Sequence, residues 1–268
     1  MAKKQHKANL GVCKLTGLKG AFVDSHILPR ALTLLSKTGE RAIEKRLEGP
    51  IKKRFQGWYD NQLVIDEGEK ILRDIDDKAI KALRKNHLVW SGWPTYQDRL
   101  AENQMYIPIN DEGFGVRILK NIDSSALKLF FLSIVWRAAA STRDDMSDVI
   151  LHHDLVERLR LAVASKNLLN SEEFPVRLHQ IGNRGVPHNR TPIIEIQNFD
   201  LSPYAPREYL FCRIYLDGLI AHVALDGDNH YSEKLGKFLL GADKELGVFV
   251  NSFEKSRTFS NLKKVAKY

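Results

Sequence analysis

Residues able to do chemistry concentrate in three early stretches. These are Cys13-Lys14-Leu15-Thr16-Gly17, Ser25-His26-Ile27-Leu28-Pro29-Arg30, and Tyr59-Asp60-Asn61-Gln62-Leu63-Val64-Ile65-Asp66-Glu67-Gly68-Glu69. Together they hold a thiol, an imidazole that titrates near neutrality and several carboxylates, the groups used to move protons and to hold metal ions. The basic run Lys52-Lys53-Arg54 lies between the second and third stretches.

Elsewhere the signals are poorer. His152-His153-Asp154 with Glu157 falls in a predicted helix, where adjacent histidines face different sides, and reads as a solvated face. Asp226-Gly227-Asp228-Asn229-His230 has the composition of a cation loop but lacks the closing Glu, so it reads as a turn. Arg184-Gly185-Val186-Pro187-His188 carries Gly and Pro and belongs to a loop. Cys212 alternates with Phe211 in a predicted buried strand and should be inert. Trp58, Trp90, Trp93 and Trp136 could stack on bases, with the core the expected fate of Trp90 and Trp136.

Read together, the three early stretches resemble the HNH-type nucleases of ββα-metal or treble-clef fold, in particular prokaryotic members with a Ser-His-Ile-Ile-Pro signature, often encoded in defence loci. The likeness covers roughly residues 10 to 85, and a Trp-Arg helix like Val135-Trp136-Arg137-Ala138 follows in some relatives. It implies roles. His26 matches the general base that takes a proton from the attacking water. Asp60 matches the middle Asn or Asp, which would orient the imidazole through its second ring nitrogen. Glu69 matches the closing His or Glu, an oxygen ligand that would hold Mg²⁺ or Mn²⁺ against the scissile phosphate. Arg30, Lys52, Lys53 and Arg54 would neutralise flanking phosphates.

The departures from that pattern are equally specific. Thr16 stands where the first knuckle has its second Cys, and Ile65 and Gly68 stand where both thiolates of the second knuckle belong. Tetrahedral zinc needs four soft or imidazole ligands, so no structural zinc is expected. Hairpin and helix must then be held by packing, through Ile65, Leu63, Val12 and Leu15. Ser25 replaces the Asp that precedes the histidine in many HNH enzymes, and Asp24 would point to the other side of a strand.

The elements that must position these residues follow from periodicity and turn chemistry. Gly17-Leu18-Lys19-Gly20 makes Leu15 to Val23 a short hairpin. Ala31 to Leu47 reads as partly helical with a break at Thr38-Gly39, and residues 57 to 62 as a loop. Helical spacing of Ile71, Leu72, Ile75, Ala79, Ile80 and Leu83 predicts a helix over Glu67 to Lys85. Residues 91 to 117 carry turn chemistry and a soft boundary. Capping residues at 121 to 125 precede a strongly apolar helix, and a further helix runs from about Asp145 to Ala164. Strands are expected at Ile193 to Gln197, Tyr209 to Leu216, Leu219 to Leu225 and Gly247 to Asn251. Asp217-Gly218 suits a type I′ turn between the second and third. The last fifteen residues are basic and read as loosely held. The fold class is α+β. Residues 1–105 form a basic HNH-like module, and 106–268 a unit of helices on a small antiparallel sheet, serving target choice, oligomerisation or partner contact.

Composition sets the frame for function. At 268 residues, 43% hydrophobic and 28% charged, the chain can bury a core, which excludes general disorder. The longest apolar run, Leu127 to Ala140, is interrupted by Lys128, Ser133 and Arg137, so no membrane span is expected. The N-terminus has no apolar segment behind its lysines, and two cysteines make no disulfide framework, so a cytoplasmic location is expected. Residues 1 to 54 hold thirteen Lys and Arg against four acids, a surplus of nine positive charges in a chain whose net charge is +8. Such a patch suits a polyanion, of which nucleic acid is the commonest, or simply solvated helices.

The primary expectation is a metal-dependent endonuclease hydrolysing DNA, with anti-phage or foreign-DNA defence implied by the resemblance. The alternative is a catalytically degenerate fold that binds nucleic acid or a defence partner. RNA stays open as the substrate, and so does a partner subunit or a homo-oligomer through the C-terminal unit.

Overall fold

The computed structural model describes residues 9–33, 42–44, 52–54, 57–100, 106–109, 114–167, 172–186, 188–200, 205–257, 259–260 and 263. The lysine-rich start, most of 34–51 and most of the basic C-terminal end lie outside the described residues.

The apolar stripe read in the sequence becomes α1 (Asp66–Lys85), which buries Leu72, Ile75, Ala79 and Leu83. Asp66, Glu67 and Glu69 in its first turn and Arg84 and Lys85 in its last complement the helix dipole. The second helix, α2 (Ser124–Ala140), is capped by Asp123, whose side chain accepts from the Ala126 amide at 2.9 Å. It is buried from Leu127 to Ala138, polar residues included. It packs against α1, against α3 (His153–Ser165) and against the large sheet. The third helix opens later than periodicity suggests, because Asp144–Met146 form a separate 3₁₀ turn.

Strands form four ladders among the described residues. Two small ones are β1 (Leu10–Val12) with β2 (Lys19–Ala21), and β3 (Ser25–His26) with β6 (Tyr59–Asp60). The third is β4 (Ala42–Glu44) with β5 (Lys52–Arg54); of the stretch expected to be partly helical from Ala31 to Leu47, the described residues outside β4 include the end of a 3₁₀ turn over Arg30–Leu32, and most of the rest lies outside the described residues. The expected loop at 57 to 62 contains β6.

The large sheet has seven strands. In spatial order they are β10 (Ile193–Phe199), β11 (Arg207–Leu216), β12 (Leu219–Ala224), β9 (Val176–Ile181), β13 (Glu245–Asn251), β8 (Gly115–Lys120) and β7 (Tyr106–Pro108). Neighbours are antiparallel except β9 and β13, which run parallel. The sheet is thus larger than expected and mixed: β7 and β8 come from the stretch read as loop, and β9 was not anticipated. The β11–β12 hairpin turns on Asp217 and Gly218 at φ of +49° and +84°, as a type I′ turn requires.

One core spans the soft boundary near residue 105. Leu15, Ile27, Trp58 and Leu72 share a cluster with Phe130, Trp136, Val163, Ile214 and Val248. Polar contacts cross the same seam. The Trp90 amide donates to the Asp217 carbonyl at 2.9 Å, Lys14 Nζ to the Ala140 carbonyl at 2.7 Å, and Arg160 Nη1 to the Leu15 carbonyl at 2.7 Å. All four tryptophans are at most 5% exposed, so none is available to stack on bases. Among the described residues no helix is long and apolar enough to cross a membrane.

Candidate functional site

His26 and Asp60 come from adjacent strands, β3 and β6, and α1 begins six residues after Asp60. In this ladder Ser25 lies directly opposite Asp60, and His26 opposite Tyr59. Side chains alternate between the two faces of a strand, so the His26 and Asp60 side chains leave on opposite faces. Burial follows the same parity: Ser25 and Asp60 are buried, His26 and Tyr59 half-buried. The His26 ring lies over Gly57, where a Cβ would stand 3.7 Å from its Cδ2, and has no hydrogen-bond partner among the described residues. Its main chain is held on both sides of the peptide. Arg137 Nη1 donates to the His26 carbonyl at 2.8 Å, and the Ile27 amide donates to the Trp58 carbonyl at 2.8 Å.

The Asp60 carboxylate is committed elsewhere. Oδ1 accepts from the Gln62 amide at 2.7 Å, closing a local turn, and Oδ2 accepts from Ser141 Oγ at 2.6 Å just past the end of α2. Arg143 stands nearby, its guanidinium 5.8 Å from the Tyr59 ring centre. Hydrogen bonds to Asp145 hold that guanidinium above its usual pKa, with the Asp60 charge adding to the effect. The orienting role expected of Asp60 toward His26 is therefore corrected: strand parity turns the carboxylate onto Ser141 and Gln62 instead.

Glu69 lies in the first turn of α1, half-buried, with its Oε2 buried and without a hydrogen-bond partner. Two helical turns on, Asp76 falls on the same stripe and accepts two bonds from Arg137, at 2.7 and 3.0 Å. A hard divalent cation needs several oxygen ligands. Both Asp60 oxygens are occupied, Ser25 offers only a buried hydroxyl, and among the described residues no three His, Cys, Asp or Glu side chains converge as a metal-binding group. Among the described residues of this frame, Glu69 Oε2 is a buried carboxylate oxygen left open to a cation.

The phosphate-contact candidates fall on two further elements. Arg30 is exposed and opens the 3₁₀ turn after Pro29. Lys52–Arg54 form β5, so the basic run belongs to a two-stranded ribbon inserted in sequence between β3 and β6.

No family model, no curated protein and no solved structure matches the chain.

The other minor motifs resolve into structure. His152 caps α3 through its own ring, with Nδ1 accepting from the Asp154 amide at 3.4 Å, and both histidines of the pair are exposed. Asp228 caps α4 (Asn229–Leu235) by accepting from the Tyr231 amide at 2.9 Å. Burial pushes the Cys212 thiol far up, as an inert core cysteine requires.

A second concentration of charge escaped the sequence reading. Helices cover the face of the sheet that carries Leu178, Cys212, Ile214, Ala221 and Val223. On the opposite face Arg213, His222 and Arg177 stand directly across from one another on β11, β12 and β9. Burial lowers the pKa of Arg177, brings Arg213 to about 10 and pushes His222 down to about 4, the last against an opposing pull from Glu195. The signal was present as alternation: Val176, Leu178, Ala221 and Val223 interleave with Arg177 and His222. Charged residues on the second face of a strand read as solvent-facing, and here that face is buried.

Proposed function

We propose that the chain is a nucleic-acid-binding protein built on a degenerate HNH-like frame. The observation that carries this reading is the engagement of Asp60 by Ser141 and Gln62 on the face away from His26. Among the described residues no carboxylate stands behind the imidazole and no oxygen set converges beside it, the parts that would drive attack on phosphorus.

The junction of hairpin and helix supports the likeness to the HNH fold. Cys13 Sγ lies 2.9 Å from the point where a Cβ on Gly68 would stand, and accepts from the Thr16 amide at 3.4 Å. Positions 13, 16 and 68 are three of the four where the resemblance calls for zinc ligands. Ile65 is the fourth, buried against Gly20. Packing does the work there: Leu15, Leu63 and Ile65 are buried, while Val12, expected to share the task, is 51% exposed.

Binding then rests on charge. The surplus of nine positive charges in residues 1 to 54, Arg30 and Lys52-Lys53-Arg54 among them, suits sequence-independent phosphate contact. A second reading, a metal-dependent DNA endonuclease with His26 as base and Glu69 as metal ligand, is favoured by the half-buried His26 ring without a partner among the described residues and by the open Glu69 oxygen. A defence role is what the resemblance implies under either reading, and a partner subunit or a homo-oligomer through the C-terminal unit stays open.

One experiment separates them. Plasmid DNA and total RNA are incubated with the full chain, with Mg²⁺ or Mn²⁺ and with EDTA, and run beside a gel-shift titration. The expected result is a shift without cleavage, indifferent to EDTA and to His26→Ala. About four phosphate contacts would weaken it about 10²-fold between 50 and 200 mM salt. Metal-dependent nicking lost in His26→Ala would overturn the binding reading in favour of the nuclease.

A further inference from the structure

Burying charge is expensive, and a folded chain normally matches each buried charge with an opposite one. The outer face of the seven-stranded sheet gathers several buried groups of one sign. Arg213, His222 and Arg177 are 4%, 7% and 8% exposed. The acid among them, Glu195, already accepts from Arg257 Nη1 at 2.9 Å and from the Gln197 side-chain amide. Arg177 spends its terminal nitrogens on neutral acceptors, Gln197 Oε1 and His179 Nε2, the latter at 3.0 Å. Its buried Nε has no hydrogen-bond partner, and neither has the buried Nδ1 of His222. Arg177, Arg213 and Arg257 all stand in the field of the Glu195 carboxylate. Together these side chains wall a cavity of about 320 Å³, which Ile181 and Ile220 also line.

We propose that this cavity binds a small phosphate-bearing ligand of nucleotide size. Guanidinium forks match phosphate oxygens two bonds at a time, and Arg177 and Arg213 flank His222 from the strands on either side of it. Ile181 and Ile220 offer apolar surface to the remainder of the ligand. Arg257, 64% exposed, stands at the rim and is free to swing from Glu195 toward an incoming anion. The volume falls at the low end of small-molecule sites and admits a mononucleotide, not a duplex. The site belongs to the C-terminal sheet and stands independently of the nucleic-acid reading of the His26 frame.

The test is calorimetric titration of the full chain with adenosine 5′-monophosphate, with adenosine and with inorganic phosphate. The expected result is saturable binding of the monophosphate, displacement by inorganic phosphate and no binding of adenosine. Arg213→Gln should weaken the monophosphate at least tenfold. Arg257→Ser, a change at an exposed position, should weaken it several-fold. Circular dichroism confirms the fold of both variants. Retention of the nucleic-acid gel shift in Arg213→Gln would keep the two sites distinct. Equal heats from adenosine and the monophosphate would overturn the proposal, as would silence from both phosphates at about 10 mM. Undiminished binding in both variants would do the same.

Discussion

Arg137 on α2 donates to the main-chain oxygen of His26 at 2.8 Å while gripping Asp76 of α1 through two bonds. One buried guanidinium thereby ties the strand that carries the imidazole to both central helices. Its side chain is 1% exposed, and Ser133 takes up the remaining donors. Removing one partner of such a pair strands the other charge in the core. Arg137→Ala should therefore cost about 3–5 kcal/mol in urea denaturation. Arg137→Lys should recover little of it, because an ammonium cannot reproduce the planar fork. A loss below about 1 kcal/mol would show the tie to be dispensable.

Ser141 and Asp60 form the contact that separates the binding reading from the catalytic one. Ser141→Ala leaves Asp60 Oδ2 buried without its donor, and the expected loss is about 1–3 kcal/mol. Nucleic-acid affinity in the gel shift should stay where it is. A change in affinity with unchanged stability would assign Asp60 to the interface.

Gly68 meets Cys13 at the hairpin–helix junction, with a Cβ there only 2.9 Å from Cys13 Sγ and 3.0 Å from Val64 Cβ. Gly68→Ala should destabilise by about 1–3 kcal/mol through overpacking. In a Cys13→Ala background, with the sulfur gone, the same change should cost less. A double-mutant cycle from urea midpoints measures the coupling, and strictly additive costs would show that the two positions do not press on each other.

Acid should weaken the fold through its buried histidines. Burial pushes His188 and His222 each down to about 4, against about 6.5 in an unfolded chain. Between those values the unfolded chain binds more protons than the folded one, so stability rises with pH across the window and drains away as pH falls from about 6.5 to about 4. The loss is roughly 1–3 kcal/mol per histidine. Urea midpoints at pH 7, 6 and 5 measure it, and His188→Gln, which leaves the Tyr215 stack without a titrating ring, should flatten the slope. A stability that does not change over that range would contradict neutral burial of these rings.

Much of the helical part was legible because its signals are local. The stripe from Leu72 to Leu83, the Asp123 cap and the Asp217-Gly218 turn each need only a few neighbouring residues to act, and each appears where the sequence puts it. The strands were harder. The ribbon of Ala42–Glu44 with Lys52–Arg54 owes its form to pairing between two separate segments, which periodicity cannot report. The strand Val176–Ile181 was hidden because Arg177, on its second face, is buried although its charge reads as solvent-facing.

For function, the sequence by itself determined the inventory: an imidazole at 26, carboxylates at 60 and 69, a lone thiol at 13 and a basic N-terminal fifth. What those groups face was decided only in three dimensions. A one-residue choice of register pairs Ser25 with Asp60 and so turns that carboxylate from His26 to Ser141. Another register lines up Arg213, His222 and Arg177, residues 45 positions apart at the extremes, into one buried charged row. Side-chain chemistry is a property of the residue, whereas the partner of each group depends on long-range strand pairing, whose cost and geometry are set by the whole fold.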